Sequence, residues 1–109
     1  MPTRQLIEQA LEGIARAIEA EDIDRLVAAW PSLGTADIER FRRTFEVMRD
    51  IDVSFDIRSL EIDANQATAT LRTTYDFYNE STRARDRESF AQTLVFSHRD
   101  GRWLVTASR

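Results

Sequence analysis

The stretch Leu94-Val95-Phe96-Ser97-His98-Arg99-Asp100-Gly101-Arg102-Trp103-Leu104-Val105 decides the fold. Asp-Gly between two alternating apolar arms predicts a two-residue type I′ hairpin, whose central residues both need positive φ. That turn sets Arg99 opposite Arg102, His98 opposite Trp103 and Phe96 opposite Val105. Phe90, Leu94, Phe96, Trp103 and Val105 then share one face, while Ala91, Thr93, Val95, Leu104 and Thr106 share the other.

The same period of two runs upstream. Ile51, Val53, Phe55 and Ile57 alternate with Asp52, Ser54, Asp56 and Arg58. Leu60 and Ile62 continue in the opposite parity, so one extra residue at Arg58-Ser59 predicts a β-bulge that bends the strand. Asp63-Ala64-Asn65-Gln66 is turn chemistry, and a second strand runs from Ala67 to about Tyr78. The charged segment Glu80 to Glu88 reads as a loop, leaving a third strand over about Ser89 to His98.

Before residue 50 the period is helical. Leu6, Ile7, Ala10, Leu11, Ile14 and Ile18 mark one face of a helix from about Thr3, its expected N-cap, to Ala20. Ile23, Leu26, Val27 and Trp30 mark a shorter helix that Asp22 can cap and Pro31 stops. Ile38, Phe41, Phe45 and Met48 form the apolar stripe of a third, from Thr35 to about Arg49, with Thr35 as cap; the stripe is read as core. The pattern is α+β: three N-terminal helices packed on a curved antiparallel sheet of about four strands, a cone-like barrel, in one domain spanning residues 1–109. Phe55, Leu71, Tyr75, Phe96 and Trp103 should meet the helices. The opposite face, holding Thr70, Thr74, Ala91, Thr93, Val95 and Leu104, is semi-apolar and suits a partner sheet.

Composition narrows the chemistry. The chain of 109 residues has no cysteine and one histidine, which excludes disulfides, thiolate sites and multi-histidine metal centres. A net charge of −4 argues against nucleic acid. No apolar run approaches a membrane span, and Met1-Pro2-Thr3-Arg4-Gln5 lacks the apolar stretch of a signal peptide, so a cytoplasmic location is the expectation. All fifteen basic residues are arginine and thirteen residues are alanine, the signature of a GC-rich, bacterial coding sequence.

Three segments together resemble the nuclear-transport-factor-two-like superfamily, which includes ketosteroid isomerases and SnoaL-like cyclases. Ala17 to Leu26 looks like its helix-turn-helix opening, Asp63 to Ala69 like its turn into a central strand, and Leu94 to Trp103 like its last hairpin. They report fold rather than chemistry. Trp30-Pro31-Ser32-Leu33 departs from the catalytic branch, where a short hairpin carrying the catalytic carboxylate follows the second helix. The isomerases' first-helix tyrosine falls on Ile14, their strand carboxylic acid near Gln92 or Thr93, and their hairpin aspartate has no counterpart. The resemblance therefore implies a short bacterial member without the isomerase residues.

No catalytic residue, metal ligand or cofactor is assigned. The pocket candidates are Trp30, Tyr75, Phe77, Phe90 and Gln92, an apolar wall with two polar groups for a small apolar ligand. The bland alternative leaves the Tyr75 hydroxyl in water and bonds Gln92 to backbone. Asp76 is expected to meet solvent or to pair with an arginine such as Arg72. Glu21, Asp22 and Asp24 are read as capping rather than metal-binding, and His98 as a surface imidazole stacked on Trp103. Arg83, Arg85 and Arg87, interleaved with Asp86 and Glu88, give little net charge for anion binding. The expected function is a non-catalytic binding or association module, a homodimer through Thr70, Thr74, Ala91, Thr93, Val95 and Leu104. The alternative is a SnoaL-like small-molecule enzyme around Tyr75 and Gln92, which needs an inward-facing carboxylate that the sequence does not reveal.

Overall fold

The structure, a computed structural model, describes residues 2–109, so Met1 of the N-terminal stretch lies outside it. Helix α1 (Thr3–Glu19) buries Ile7, Leu11, Ile14 and Ile18 of the predicted stripe together with Ala15 and Ala17, while Leu6 and Ala10 are half-buried. Its N-cap is Pro2 and Thr3 is already helical, one residue away from the expected cap. Helix α2 (Ile23–Ala29) starts as expected: the Asp22 carboxylate accepts from the Arg25 N–H at 3.1 Å. Trp30 leaves helical geometry directly before Pro31. Helix α3 (Thr35–Val47) is capped by Gly34 rather than Thr35, and the Asp37 carboxylate reaches back to the Gly34 N–H at 3.1 Å.

Four strands follow: β1 (Met48–Asp63), β2 (Gln66–Asn79), β3 (Ala84–Arg99) and β4 (Arg102–Ser108). They pair antiparallel in the order β1-β2-β3-β4, and the sheet is open; β1 and β4 remain edges, so the barrel is not closed. The register shift between Ile57 and Ser59 is the predicted bulge, and it keeps Ile57 and Leu60 on one face. Arg99 pairs with Arg102, His98 with Trp103 and Phe96 with Val105, with Asp100 and Gly101 at φ 52° and 76°.

Two boundaries differ from the sequence reading: α3 ends at Val47, so Met48 and Arg49, expected in the helix, open β1 instead, and β3 starts earlier than expected. Only Glu80–Arg83 form a turn, and β3 begins at Ala84 rather than near Ser89. Asn79 accepts the Ser81 N–H in that turn, and Tyr75 and Phe77 pair with Glu88 and Asp86. Residues 84–91 are exposed, so no apolar alternation marks them; the ladder with β2 holds the strand.

The inner face of the sheet meets the helices. Ala67, Ala69, Leu71, Phe77, Leu94, Phe96 and Val105 join Ile7, Ile14, Ile18, Leu26 and Phe45 in one core. Phe55, Tyr75 and Trp103 pack at its margin, as their parity predicts. Two polar ties set the layers. The Glu19 carboxylate accepts from the Val53 N–H at 2.9 Å, covering one donor on the free edge of β1. The Ser32 hydroxyl donates to the Val105 carbonyl at 3.2 Å and ties the α2–α3 link to β4. No described helix is long and apolar enough to cross a membrane.

Candidate functional site

Beyond the core, α3 and the inner face of the sheet border a cavity of about 360 Å³. The end of α2 supplies Trp30, the link and α3 supply Leu33, Asp37, Arg40, Phe41 and Thr44, β1 supplies Met48, and β2 and β3 supply Tyr75, Glu88, Phe90 and Gln92. The volume lies near the lower end of the range for small-molecule sites. Phe90 is 41% exposed because its ring faces this space, 6.0 Å from the Tyr75 ring. A larger groove of about 480 Å³ runs between α1 and β1. Its lip is charged, and Arg4–Glu8 and Arg16–Glu12 satisfy one another there.

Some polar groups at the cavity are held by neighbours and others are not. Gln92 donates through Nε2 to the Thr73 hydroxyl at 2.7 Å, and Thr73 is fully buried. This bond keeps the amide at the cavity wall. Among the described residues the Tyr75 hydroxyl makes no hydrogen bond to protein. Burial, with the Glu88 charge beside it, pushes the Tyr75 phenol up to about 12, so it remains a neutral donor at ordinary pH. Asp37 and Arg40 pair at 3.2 Å at the mouth. No group of three His, Asp or Glu side chains among the described residues could hold a metal ion.

Four of the five residues nominated from sequence, Trp30, Tyr75, Phe90 and Gln92, line this one cavity. Phe77 does not; at 1% exposure it sits in the core. Its parity is right, but burial under the helices removes it from the wall. Gln92 bonds a side-chain hydroxyl, where backbone was the bland expectation. The stripe expected of the third helix is split: Phe45 is core, Phe41 faces the cavity, and Met48 faces it from the start of β1. Sequence reasoning missed Asp37, Arg40 and above all Glu88, the inward carboxylate. Continuing the parity of Phe90 and Gln92 two residues upstream would have found it, had Glu80 to Glu88 been read as strand.

Other sites resolve as follows. Ile14, in place of the isomerase tyrosine, is buried. Asp76 pairs with an arginine as expected, though with Arg85 at 2.6 Å rather than Arg72, and lies near Arg87; the Arg85 hydrogen bond lowers its carboxyl from the usual range. His98 stacks on Trp103 with ring centroids 5.0 Å apart. On the outer face, Thr70 pairs with Thr93, Arg72 with Ala91, Thr74 with Ser89 and Ser97 with Leu104, so all six residues named for association share the helix-free side. Val95 is only 3% exposed and lies outside the core cluster.

No family model and no curated protein matches the chain in sequence. Solved structures do match in shape. A nuclear transport factor 2-like superfamily protein from Salmonella enterica aligns over 96% of this chain and 87% of its own, with a TM-score of 0.81 at 11% identity. A ketosteroid isomerase-like protein from Erwinia carotovora aligns over 95% and 91%, with a TM-score of 0.74 at 18% identity. A protein from Xanthomonas campestris, assigned as a calcium/calmodulin-dependent protein kinase II association domain, aligns over 94% and 82%, with a TM-score of 0.76 at 12% identity. At these identities the likeness establishes fold.

Proposed function

We propose that this chain, which has the nuclear-transport-factor-two-like fold, is a small-molecule-binding domain that self-associates through its outer sheet face. The observation that carries the reading is the cavity of about 360 Å³ with an aromatic wall and a tethered amide. Its apolar lining excludes water from a ring, and the Tyr75 phenol and Gln92 amide orient it. Self-association is supported by the helix-free face of Thr70, Thr74, Ala91, Thr93, Val95 and Leu104, and by the similarity to an assigned association domain. Such a face serves an isologous dimer, each copy offering the same patch.

Native mass spectrometry of the protein as isolated tests both parts. A dimer carrying an extra few hundred daltons is the expected result. A clean dimer whose Trp30→Leu variant binds apolar probes as the wild type does would refute the cavity as the site. A monomer at high micromolar concentration would refute the interface. Ala91→Arg is the fitting interface variant, because Ala91 is exposed whereas Val95 is already buried in the single chain.

One observation favours a second reading, a SnoaL-like enzyme. Tyr75 and Glu88 are direct cross-strand partners on the inner face, a neutral phenol beside a carboxylate in one cavity. Such a pair can serve as proton donor and base toward a bound carbonyl compound. Turnover that Glu88→Gln and Tyr75→Phe each abolish would favour this reading.

A further inference from the structure

Strand β3 sorts its charges by face. Arg85 and Arg87 have odd parity and lie outside, where the Asp76 carboxylate accepts from Arg85 at 2.6 Å and forms an ion pair with Arg87 at 3.6 Å. Asp86 and Glu88 have even parity and point inward with Phe90 and Gln92. The basic residues of this segment are thus spent outside, and its acidic ones are left on the cavity side.

The charge at the cavity follows. Asp37, Arg40 and Glu88 are its three charged lining residues, and Arg40 is held by Asp37. Glu88 makes no ion pair among the described residues. One carboxylate without an ion pair therefore shares the cavity with Trp30, Phe41, Tyr75 and Phe90. Tyr75 adds no charge, since its phenol stays protonated. Aromatic faces and a carboxylate both attract a cation, whereas an anion would meet no free positive partner.

We propose that the ligand of this cavity is a protonated amine on a one- or two-ring apolar body, with its ammonium at Glu88 and its rings against Trp30, Phe41 and Phe90. This rests on the cavity being a ligand site. Attraction at a partly exposed carboxylate and an aromatic wall together amounts to about tenfold in affinity over the matching alcohol.

Three probes with one naphthalene body isolate the head group: 2-(1-naphthyl)ethylamine, 2-(1-naphthyl)ethanol and 1-naphthylacetate, titrated by ligand-observed NMR. The expected order is amine, alcohol, carboxylate, with the amine preference shrinking as salt rises. Glu88→Gln, an exposed substitution, should bring the amine to the affinity of the alcohol and leave the alcohol unchanged. Equal binding of amine and alcohol to the wild type would overturn the charge assignment while leaving the cavity in place. An amine preference that survives Glu88→Gln would also overturn it, by placing the cation elsewhere on this acidic chain. Failure of all three probes to bind would overturn the cavity reading itself.

Discussion

Replacing Gln92 by Leu should cost more stability than replacing the residue that it contacts. Gln92 Nε2 donates to Thr73 Oγ1 at 2.7 Å, and Thr73 is fully buried while Gln92 lines the cavity. In Gln92→Leu the Thr73 hydroxyl stays buried with no side-chain partner, which costs about 1–3 kcal/mol. In Thr73→Val the stranded group is the Gln92 amide, which can turn to water in the cavity. That loss is under about 1 kcal/mol, and valine suits a buried strand position. With both replaced, no polar group is stranded, and the double variant should lie within about 0.5 kcal/mol of the wild type. The cycle then gives a coupling of about 1–4 kcal/mol, the sum of the two single losses. Urea unfolding followed by Trp30 and Trp103 fluorescence, with equal m-values, measures all four corners. A loss of about 2 kcal/mol lowers Tm by about 10 °C in a domain of this size, well within reach of the assay. If Gln92→Leu costs no more than Thr73→Val, the hydroxyl has another outlet and the reasoning is refuted.

Other outcomes follow from the same geometry. In a spectrophotometric titration one tyrosine should ionise only near pH 12, and Phe substitution should identify it as Tyr75. Because the folded-state value is raised, the stability it contributes is complete below about pH 10, the ordinary phenol value, and is lost as pH rises through about 12; flat stability across that window would refute it. Phe77→Ala should cost about 3–5 kcal/mol in urea unfolding, a core loss. Phe90→Ala, with its ring already 41% exposed, should cost far less while weakening naphthylethanol binding in the NMR titration. Gly101→Val should cost about 1–2 kcal/mol from the positive φ of 76° alone, since nothing lies within 4 Å of an added Cβ; an unchanged urea midpoint would show that the turn rearranges.

Legibility in the sequence followed the physics of each element. The hairpin at Asp100-Gly101 was legible to the residue, because positive φ at two adjacent positions restricts the turn to few residue types. The bulge near Arg58 was legible because one buried face must stay in phase. The first half of β3 was not, since residues 84–91 bury neither face and carry no pattern. The candidate site shared that fate: Trp30, Tyr75, Phe90 and Gln92 lie in elements whose parity could be read, and Glu88 lies in the stretch that could not.

Local chemistry alone determined the three helices, the inner and outer faces of the sheet, the pairing across the last turn and the absence of thiol or multi-histidine chemistry. Those depend on neighbours within a few residues along the chain. Whether a given inward side chain becomes core or cavity wall depends on where the helices stop covering the sheet. Phe77 and Phe90 share the inner face, yet the helices cover one and leave the other open. The partner of Asp76, the bond from Gln92 to Thr73 and the free carboxylate of Glu88 have the same origin. Each depends on strands pairing at a distance, and only the packed chain brings those residues together.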